Sequence, residues 1–504
     1  MEMEMTLKMF LRIVVSMRIV LLLPAISILL LLNSSCNDDS PNQDETKKTQ
    51  TDAKYVNKWI YENMSLYYYW NTKLPRKPDY TLSPADFFES IKYPYNETTH
   101  DGDRFSWIQE SYTDLLNSLS GVSSSEVGFE FYTGARPGSG DNSVIGYIIV
   151  YVKKGTDAAT KLKRGDYITA VNGTKVTEAN YTSLLNGSKS SYTLTVTDAE
   201  TGLSSPVTIT TVPTYAEHPI LTSKIFDPKN GKTIGYLVYN FFASDNGDNT
   251  YKYDIELANL LETFKTGGVT DLVLDLRYNG GGAIQSAIYL ASALVDRDVT
   301  DKTFAYNEYN TGYTEALIKY YGNSDALSYQ LEDKVKNNSI SDLGKQLNSI
   351  YILTGRYTAS ASELIINGLK PYIGDKLKLI GRTTYGKNVG SITFYEKNDS
   401  RNKWGMQPIV LKISNKDHFS DYGGGFTPET LLNEFTLPFQ PLGSEQEPLL
   451  AKAIEQITGI VAPLPASASK NVGHEPRIIG SSFDQKKGAY QMFVDEEKFI
   501  LQQK

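Results

Sequence analysis

Cysteine is almost absent from this chain of 504 residues, and histidine is scarce. The one cysteine is Cys36, so an internal disulfide and a zinc site built on cysteines are both excluded. The four histidines are His100, His218, His418 and His474. They leave few candidates for a Ser-His-Asp triad, so a lysine also has to be considered as the base for any serine nucleophile.

Basic residues do not exceed acidic ones, since 50 lysines and arginines face 58 aspartates and glutamates and the net charge is −8. No basic run with interleaved aromatic residues occurs, which argues against a general nucleic-acid binder. The H-E-x-x-H and Walker motifs are missing, and the glycine run near residue 280 is not G-x-G-x-x-G. We therefore expect neither a metal nor an organic cofactor.

The apolar stretch Ile19–Leu32 has 14 residues, which is short for a membrane-spanning helix. It follows Lys8, Arg12 and Arg18 and precedes Cys36, an arrangement that resembles a bacterial lipoprotein signal with lipidation at the cysteine. The prediction is a protein of the bacterial cell envelope, lipid-anchored to a membrane, the outer membrane being the expected one. A plain N-terminal anchor helix is the alternative.

A strand, a tight turn and a helix are predicted between residues 349 and 369. Ile350–Thr354 is apolar and β-branched, whereas Ala361–Leu369 has apolar residues at helical spacing. Ser360 thus lies at a helix N-terminus, where backbone N–H groups favour negative charge and a hydroxyl can attack a carbonyl. The alternative is a capping box, in which Ser360 only caps the helix and Glu363 returns the bond.

Lys387 lies 27 residues after Ser360, in a loop that follows a predicted strand with Leu377, Leu379 and Ile380. A lysine can act as a base when burial lowers its pKa. A lysine beside glycine in a loop is otherwise usually a solvated surface residue.

The run TASASE at 358–363, followed by TTYGK ending at Lys387, resembles the active-site signature of the C-terminal processing (tail-specific) peptidases. That family consists of serine endopeptidases with a Ser-Lys dyad. The resemblance implies that Ser360 is the nucleophile, Lys387 the general base and Glu363 a supporting residue. Thr358 replaces a serine of the signature. Other members carry a glutamine four residues after the lysine, where this chain has Ser391, so the third member of the catalytic set is either Glu363 or Ser391.

A glycine turn is predicted between the strand Asp271–Leu276 and the helix Ala283–Leu294. Its sequence DLRYNGGG resembles a motif of the same family, in which one amide lines the oxyanion hole together with the amide after the nucleophile, here Ala361. Gly281 is the expected donor and Gly282 the alternative. Without the resemblance, the run is an ordinary strand-to-helix turn.

Residues 113–213 have the rhythm of a small β-rich domain that resembles a PDZ domain. Val127, Gly128 and Phe129 match its peptide-binding loop, where a peptide would add a strand to the sheet edge. The alternative is an ordinary turn in a domain that only packs.

The resemblance implies an α/β fold with a crotonase-like βαβ catalytic core, a PDZ-like domain and a helical N-terminal piece. The expected function is endopeptidase cleavage of polypeptide partners, with membrane attachment through a lipid and without nucleic acid. The rivals are a non-catalytic peptide-binding lipoprotein and a hydrolase of non-protein amides or esters.

Residues 298–348 are expected to be an insertion, such as a lid. The predicted regions are a signal peptide (1–35), a flexible tether (36–53), a helical region (54–112), the PDZ-like domain (113–213), the catalytic domain (214–464) and a tail (465–504).

Overall fold

The computed structural model describes residues 43–136, 144–198, 201–435, 439–461, 476–486, 488 and 490–494. The predicted signal peptide and Cys36 lie outside these residues. Within the described residues, no helix combines the length and the apolar composition that a membrane span needs. The α-helices of this part of the chain are α1 (Gln43–Tyr67), α2 (Pro84–Ile91), α3 (Tyr112–Leu119), α4 (Lys252–Thr266), α5 (Ile284–Leu294), α6 (Thr311–Tyr321), α7 (Ala361–Ile373) and α8 (Pro448–Thr458).

The strands form several sheets. They are β1 (Trp107–Gln109), β2 (Val122–Glu126), β3 (Phe129–Ala135), β4 (Ile145–Val152), β5 (Tyr167–Val171), β6 (Thr174–Lys175), β7 (Ser191–Thr197), β8 (Ser204–Thr210), β9 (Val212–Ala216), β10 (Ile220–Ile225), β11 (Ile234–Tyr239), β12 (Asp271–Asp275), β13 (Gly282–Ala283), β14 (Thr303–Tyr309), β15 (Ser328–Gln330), β16 (Lys334–Val335), β17 (Asn338–Ser339), β18 (Ser349–Thr354), β19 (Leu377–Gly381), β20 (Val389–Ser391), β21 (Phe394–Tyr395), β22 (Gly405–Gln407), β23 (Ile409–Asn415), β24 (Thr430–Leu431), β25 (Ile478–Ser481) and β26 (Met492–Phe493).

The central sheet has the order β10-β11-β12-β18-β19-β24, with β10 antiparallel and the other strands parallel. Its strands are apolar on both faces because helices cover both. Leu272 and Leu274 pack into the same cluster as helices α5 and α7, whereas Val273 between them packs with α8. The predicted α/β fold with βαβ units is confirmed.

The carboxyl ends of β12 and β18 define the position of the site. These strands are parallel neighbours, with Asp275 paired with Leu353. The turn after β12 contains the glycine run, and the turn after β18 contains Ser360. Because parallel strands end at the same edge of a sheet, the topology brings the two turns together.

A second six-stranded sheet has the order β13-β26-β20-β23-β14-β15. The prediction of a lid-like insertion over residues 298–348 is wrong, because β14 lies inside this sheet and pairs with β23 from Ala305 to Tyr309. Thr303, Phe304 and Ala305 are buried in a row, because β14 pairs with a strand about a hundred residues away that the local sequence does not reveal.

The N-terminal helices pack into the hydrophobic core of the catalytic region. Ile60, Met64 and Phe87 belong to the same buried cluster as the helices on the central sheet. α1 begins at Gln43, within the predicted flexible tether, so that tether prediction is wrong from Gln43 onward. A polar stretch without apolar periodicity can extend a helix whose stability comes from packing elsewhere.

The β-rich domain contains the sheet β25-β3-β4-β5-β7-β8 and the separate pair β2-β9. Asn172 and Gly173 form the predicted hairpin turn between β5 and β6, both with positive φ. The first strand of the sheet, β25, comes from the C-terminal end of the chain. Residues 476–486, 488 and 490–494, here called the return segment, therefore belong to the fold, and the prediction of a mere tail over this stretch is wrong.

Candidate active site

Ser360 follows β18 at a sharp turn and is the N-cap of α7. Its φ of +63° is unusual for a residue with a side chain, and such strain persists only where the surroundings enforce it. Thr358 braces the turn, because its Oγ1 accepts the Gly355 N–H at 2.9 Å and donates to the carbonyl of Leu276 at 2.7 Å. The Ser360 hydroxyl is buried and has no hydrogen-bond partner among the described residues.

Glu363 joins the turn that carries Ser360 to the loop that carries Lys387. Its Oε2 accepts the backbone N–H of Ser360 and that of Lys387, both at 2.8 Å. Its Oε1 accepts the Gly386 N–H at 2.7 Å and the Thr384 hydroxyl at 2.6 Å. Burial raises the pKa of Glu363 to about 7, although these four donors favour the ionised form. Ser360 and Glu363 have the arrangement of a capping box, in which each side chain faces the backbone N–H of the other residue. Of the two hydrogen bonds, only the one that Glu363 accepts from the Ser360 N–H has ordinary geometry.

Lys387 lies in the loop immediately before β20 and is fully buried. Burial lowers its pKa to about 7, and Asp103 and Glu363 oppose this effect. Its Nζ lies 4.7 Å from the centre of the Phe105 ring, which helps to exclude water. The alternative of a solvated surface lysine is wrong.

The amine of Lys387 donates to the return segment. Its Nζ lies 2.8 Å from the backbone carbonyl O of Tyr490 and 3.4 Å from Oε1 of Gln491. No feature of the sequence pointed to these two residues, because they lie about a hundred positions after the lysine in a short polar stretch.

The glycine turn after β12 lies against Ser360. A Cβ on Gly281 would stand 2.6 Å from the Ser360 Cβ and 3.0 Å from the Ala361 backbone N, so only glycine fits. The Gly281 N–H, however, donates to Asn279 Oδ1 at 2.8 Å. The Gly282 N–H instead donates to the backbone carbonyl O of Gln491 at 2.5 Å. Of the two predicted oxyanion donors, the structure favours Gly282, because its N–H meets a peptide carbonyl.

A buried ion cluster supports this turn. The Arg277 guanidinium donates to both carboxylate oxygens of Glu447, at 2.6 and 2.8 Å, and to both oxygens of Asp275. Arg164 of the β-rich domain donates to Glu434 at 2.6 Å, and Glu434 also approaches Arg277. These charges hold the end of β12 and connect it to the β-rich domain.

The predicted peptide-binding loop lies apart from this constellation. The Gly128 N–H donates to Glu126 Oε1 at 2.9 Å, so it is already paired. Phe129 begins β3, which pairs with β4 on one edge and with β25 of the return segment on the other. Val127 packs against the core of the β-rich domain. The edge of β3 at which a peptide was expected to bind is therefore occupied by the chain's own strand β25.

The remaining candidates do not touch the dyad. Ser391 donates its hydroxyl to the carbonyl of Met492 at 3.2 Å, which favours Glu363 as the third member of the site. His100 bonds Tyr95, His218 bonds Glu256, and His418 stacks on Tyr306. His474 lies outside the described residues.

Arg104 and Asp103 are site residues that sequence reasoning passed over. Arg104 Nη2 donates to the carbonyl of Gly386 at 3.0 Å and stacks on Tyr385, which holds the lysine loop from the N-terminal side. Asp103 accepts the Tyr68 hydroxyl at 2.8 Å.

The arrangement of strands and motifs has counterparts among known proteins. A model of peptidase family S41 matches residues 233–419, and a model of the N-terminal domain of S41 peptidases matches residues 55–107. Both models describe S41 peptidases, so the chain is similar to this family over these two stretches. The crystal structure of an S41 protease from Bacteroides fragilis is 27% identical, with a TM-score of 0.62 over 80% of this chain and 98% of that one.

Curated S41 relatives match more locally. A carboxyl-terminal-processing protease of Synechocystis is 23% identical over 242 residues, 48% of this chain and 48% of that protein. A CtpA-like serine protease of Staphylococcus aureus is 26% identical over 210 residues, 42% of this chain and 35% of that protein. The chain thus spans about half the length, or less, of the curated relatives it matches.

Proposed function

We propose that this chain is a serine endopeptidase that cleaves polypeptides with Ser360 as nucleophile and Lys387 as general base. The observation that carries the proposal is the environment of Lys387. This buried lysine has its pKa lowered to about 7, and Glu363 binds the backbone of both its loop and the Ser360 turn. A general base works best when its pKa lies near the working pH.

In the proposed reaction, neutral Lys387 takes the proton of the Ser360 hydroxyl as its Oγ attacks a peptide carbonyl carbon. The N–H groups of Gly282 and Ala361 stabilise the oxyanion, an effect of roughly 3–4 kcal/mol per donor in related sites. The tetrahedral intermediate collapses, and protonated Lys387 gives its proton to the leaving amine. Water then attacks the Ser360 ester, with Lys387 as base, and releases the acid.

A cavity of about 130 Å³ supports the proposal that the substrate is a peptide. It borders Gly281 and is lined by apolar side chains that include Leu119, Phe241 and Phe242. Such a space can receive an apolar substrate side chain next to the attacked carbonyl.

We further propose that the β-rich domain acts as a PDZ-like polypeptide-binding domain and that Cys36 carries a lipid anchor at the outer membrane. The support for the first is that the edge of β3 accepts an added antiparallel strand, β25. The support for the second is the basic and apolar sequence before Cys36.

Two observations favour a non-catalytic polypeptide-binding role as the second candidate. The Lys387 amine bonds the carbonyl of Tyr490, and the Ser360 hydroxyl has no partner among the described residues. A hydrolase of non-protein esters would have the same dyad, so activity on a peptide has to be measured directly.

The test is cleavage of an unfolded polypeptide such as casein by the full chain carrying Cys36→Ser, which removes the predicted lipidation. Ser360→Ala is compared with Ser400→Ala, an exposed serine that serves as the matched control. We expect cleavage by the parent and by Ser400→Ala, and none by Ser360→Ala. If Ser360→Ala cleaves casein as fast as the parent, Ser360 is only a helix cap and the proposal is wrong. Ester hydrolysis without peptide cleavage would favour the rival hydrolase.

A further inference from the structure

The return segment passes through both places where the proposed peptidase would hold a polypeptide. Ile478–Ser481 forms β25 on the edge of β3, the edge expected to bind a peptide by strand addition. Met492–Phe493 forms β26, which lies parallel to β13 on one side and β20 on the other. One stretch of this chain therefore fills the domain edge and the catalytic slot in turn.

The catalytic slot is the gap between β13 and β20. Neighbouring strands lie about 4.8 Å apart, so two strands at about twice that distance leave room for a single extended chain between them. The Gly282 N–H donates to the Gln491 carbonyl at 2.5 Å on one side, and the Val494 N–H donates to the Ser391 carbonyl at 3.1 Å on the other. Both edges of the slot are thus hydrogen-bonded to the return segment.

The Gln491 carbonyl lies beside the Ser360 turn and accepts the N–H of the expected oxyanion donor Gly282. Its oxygen lies 2.4 Å from the point where a Cβ on Gly281 would stand, and the Ser360 Cβ lies 2.6 Å from that same point. The nucleophile and this carbonyl therefore flank the same glycine, with the carbonyl bonded to the proposed oxyanion donor Gly282. A substrate carbonyl cannot enter while Gln491 is there.

The segment also engages the base and closes the site. The Lys387 amine is bonded to the Tyr490 carbonyl, so it is diverted from the Ser360 hydroxyl. Ser360 and Lys387 are both 0% exposed with the segment in place. Phe483 anchors the segment upstream, because its ring lies 4.9 Å from that of Tyr357 beside the nucleophile turn.

We propose that the return segment is an intramolecular, substrate-like occupant of the polypeptide-binding track and holds the catalytic site latent until it is displaced. This rests on the proposed peptidase function, since it assigns the track to polypeptide substrates. A substrate then enters as an extended strand parallel to β13 and β20, with its scissile carbonyl at the position of the Gln491 carbonyl.

A reversible disulfide tests the occupancy. Ser391 and Phe493 are register partners, and strand neighbours at that spacing can be bridged by cysteines. Because Cys36 is the only native cysteine, the full chain with Cys36→Ser carries no competing thiol. Ser391→Cys and Phe493→Cys are combined in that background, and each single variant is the matched control. We expect the disulfide to form on mild oxidation, which locks the segment in the slot.

The readouts are casein cleavage and fluorophosphonate labelling of Ser360, before and after reduction. The locked chain is expected to be at least tenfold slower in both than its reduced form, and the single variants to be unaffected by oxidant. Met492→Ala, which weakens the buried contact of β26, is expected to be at least tenfold faster than the parent. Failure of the disulfide to form, equal rates for the locked and reduced chains, or a folded Met492→Ala without faster turnover would each overturn the proposal.

Loss of the peptidase function alone gives a different pattern. If no variant cleaves a peptide but the locked chain is still protected from fluorophosphonate, the occupancy stands and the proposed substrate class fails. If the locked chain is labelled as fast as the reduced one, β26 is only a strand that completes the fold.

Discussion

The backbone N–H of Lys387 lies 2.8 Å from the carboxylate oxygen Oε2 of Glu363. The same oxygen accepts the backbone N–H of Ser360 at the same distance. One buried atom therefore fixes the relative position of the two loops that carry the dyad. Glu363 does not have to touch a substrate to matter, because misplacing a nucleophile and its base by about 1 Å can cost about a hundredfold in rate.

Replacing Glu363 with glutamine is expected to lower kcat by about 10- to 100-fold and to change KM little, because positioning is lost and substrate contacts are not. The glutamine NH2 group would face N–H and O–H donors where the carboxylate accepts them. Steady-state cleavage of a peptide measures the effect. Glu429→Gln is the matched control, since Glu429 is exposed and accepts the Leu379 N–H away from the dyad. Equal kcat for the two variants would contradict the positioning role.

The rate of peptide cleavage is expected to rise with pH through about 7. Burial lowers the pKa of Lys387 to about 7, so below that pH the lysine is protonated and cannot accept the serine proton. The pKa of Glu363 is raised to about 7, and its protonation at lower pH weakens the bonds that hold the loops, so both groups act in the same direction. A profile of kcat/KM from pH 5 to 9 measures this. A flat profile, or one that falls with rising pH, would rule out a neutral-lysine base.

Gly281→Ala is expected to lower kcat/KM by at least about 100-fold, the magnitude seen when an oxyanion donor is lost. The new Cβ would stand 2.6 Å from the Ser360 Cβ and displace the turn that carries Gly282. Gly231→Ala is the matched control, because Gly231 also has positive φ but nothing lies within 4 Å of its Cβ position. That control should cost about 1–2 kcal/mol of backbone strain and leave the rate unchanged. Similar rates for the two variants would contradict the account of the glycine turn.

Glu447→Gln is expected to lower the free energy of unfolding by about 3–5 kcal/mol, because it leaves the buried Arg277 charge without its bidentate partner. Both side chains are almost completely buried and bonded at 2.6 Å. Denaturant unfolding of the two proteins gives the difference. Glu445→Gln, which removes a partly exposed ion pair with Lys229, should cost less than about 1 kcal/mol. An equally small loss at Glu447 would mean that the ion cluster does not hold the fold.

The local elements of the site could be predicted because each has a short-range signal. The apolar run before Ser360, the helix spacing after it and the glycines before Ala283 are visible within about twenty residues. The order of the motifs then identified the family. The placement of Lys387 in a buried loop needed that family pattern, since its own neighbours are polar.

The contacts that close the site could not be predicted, because they join residues far apart in the chain. Lys387 and Tyr490 are 103 positions apart, and Arg277 and Glu447 are 170 apart. β26 has only two residues, too few to show an alternating pattern, and acquires its strand form from the edges of β13 and β20. Only the fold shows that this stretch returns to the catalytic site.

The most direct test of the dyad is the rate at which a fluorophosphonate labels Ser360 in the parent chain and in Lys387→Met. Methionine keeps the length of the side chain but cannot accept a proton. Lys397→Met, at an exposed lysine, is the matched control. If Lys387 is the base, Ser360 is labelled in the parent and the control, and labelling in Lys387→Met is slower by about 100- to 10,000-fold. Labelling of Lys387→Met at the parent rate, or a label on a residue other than Ser360, would contradict it.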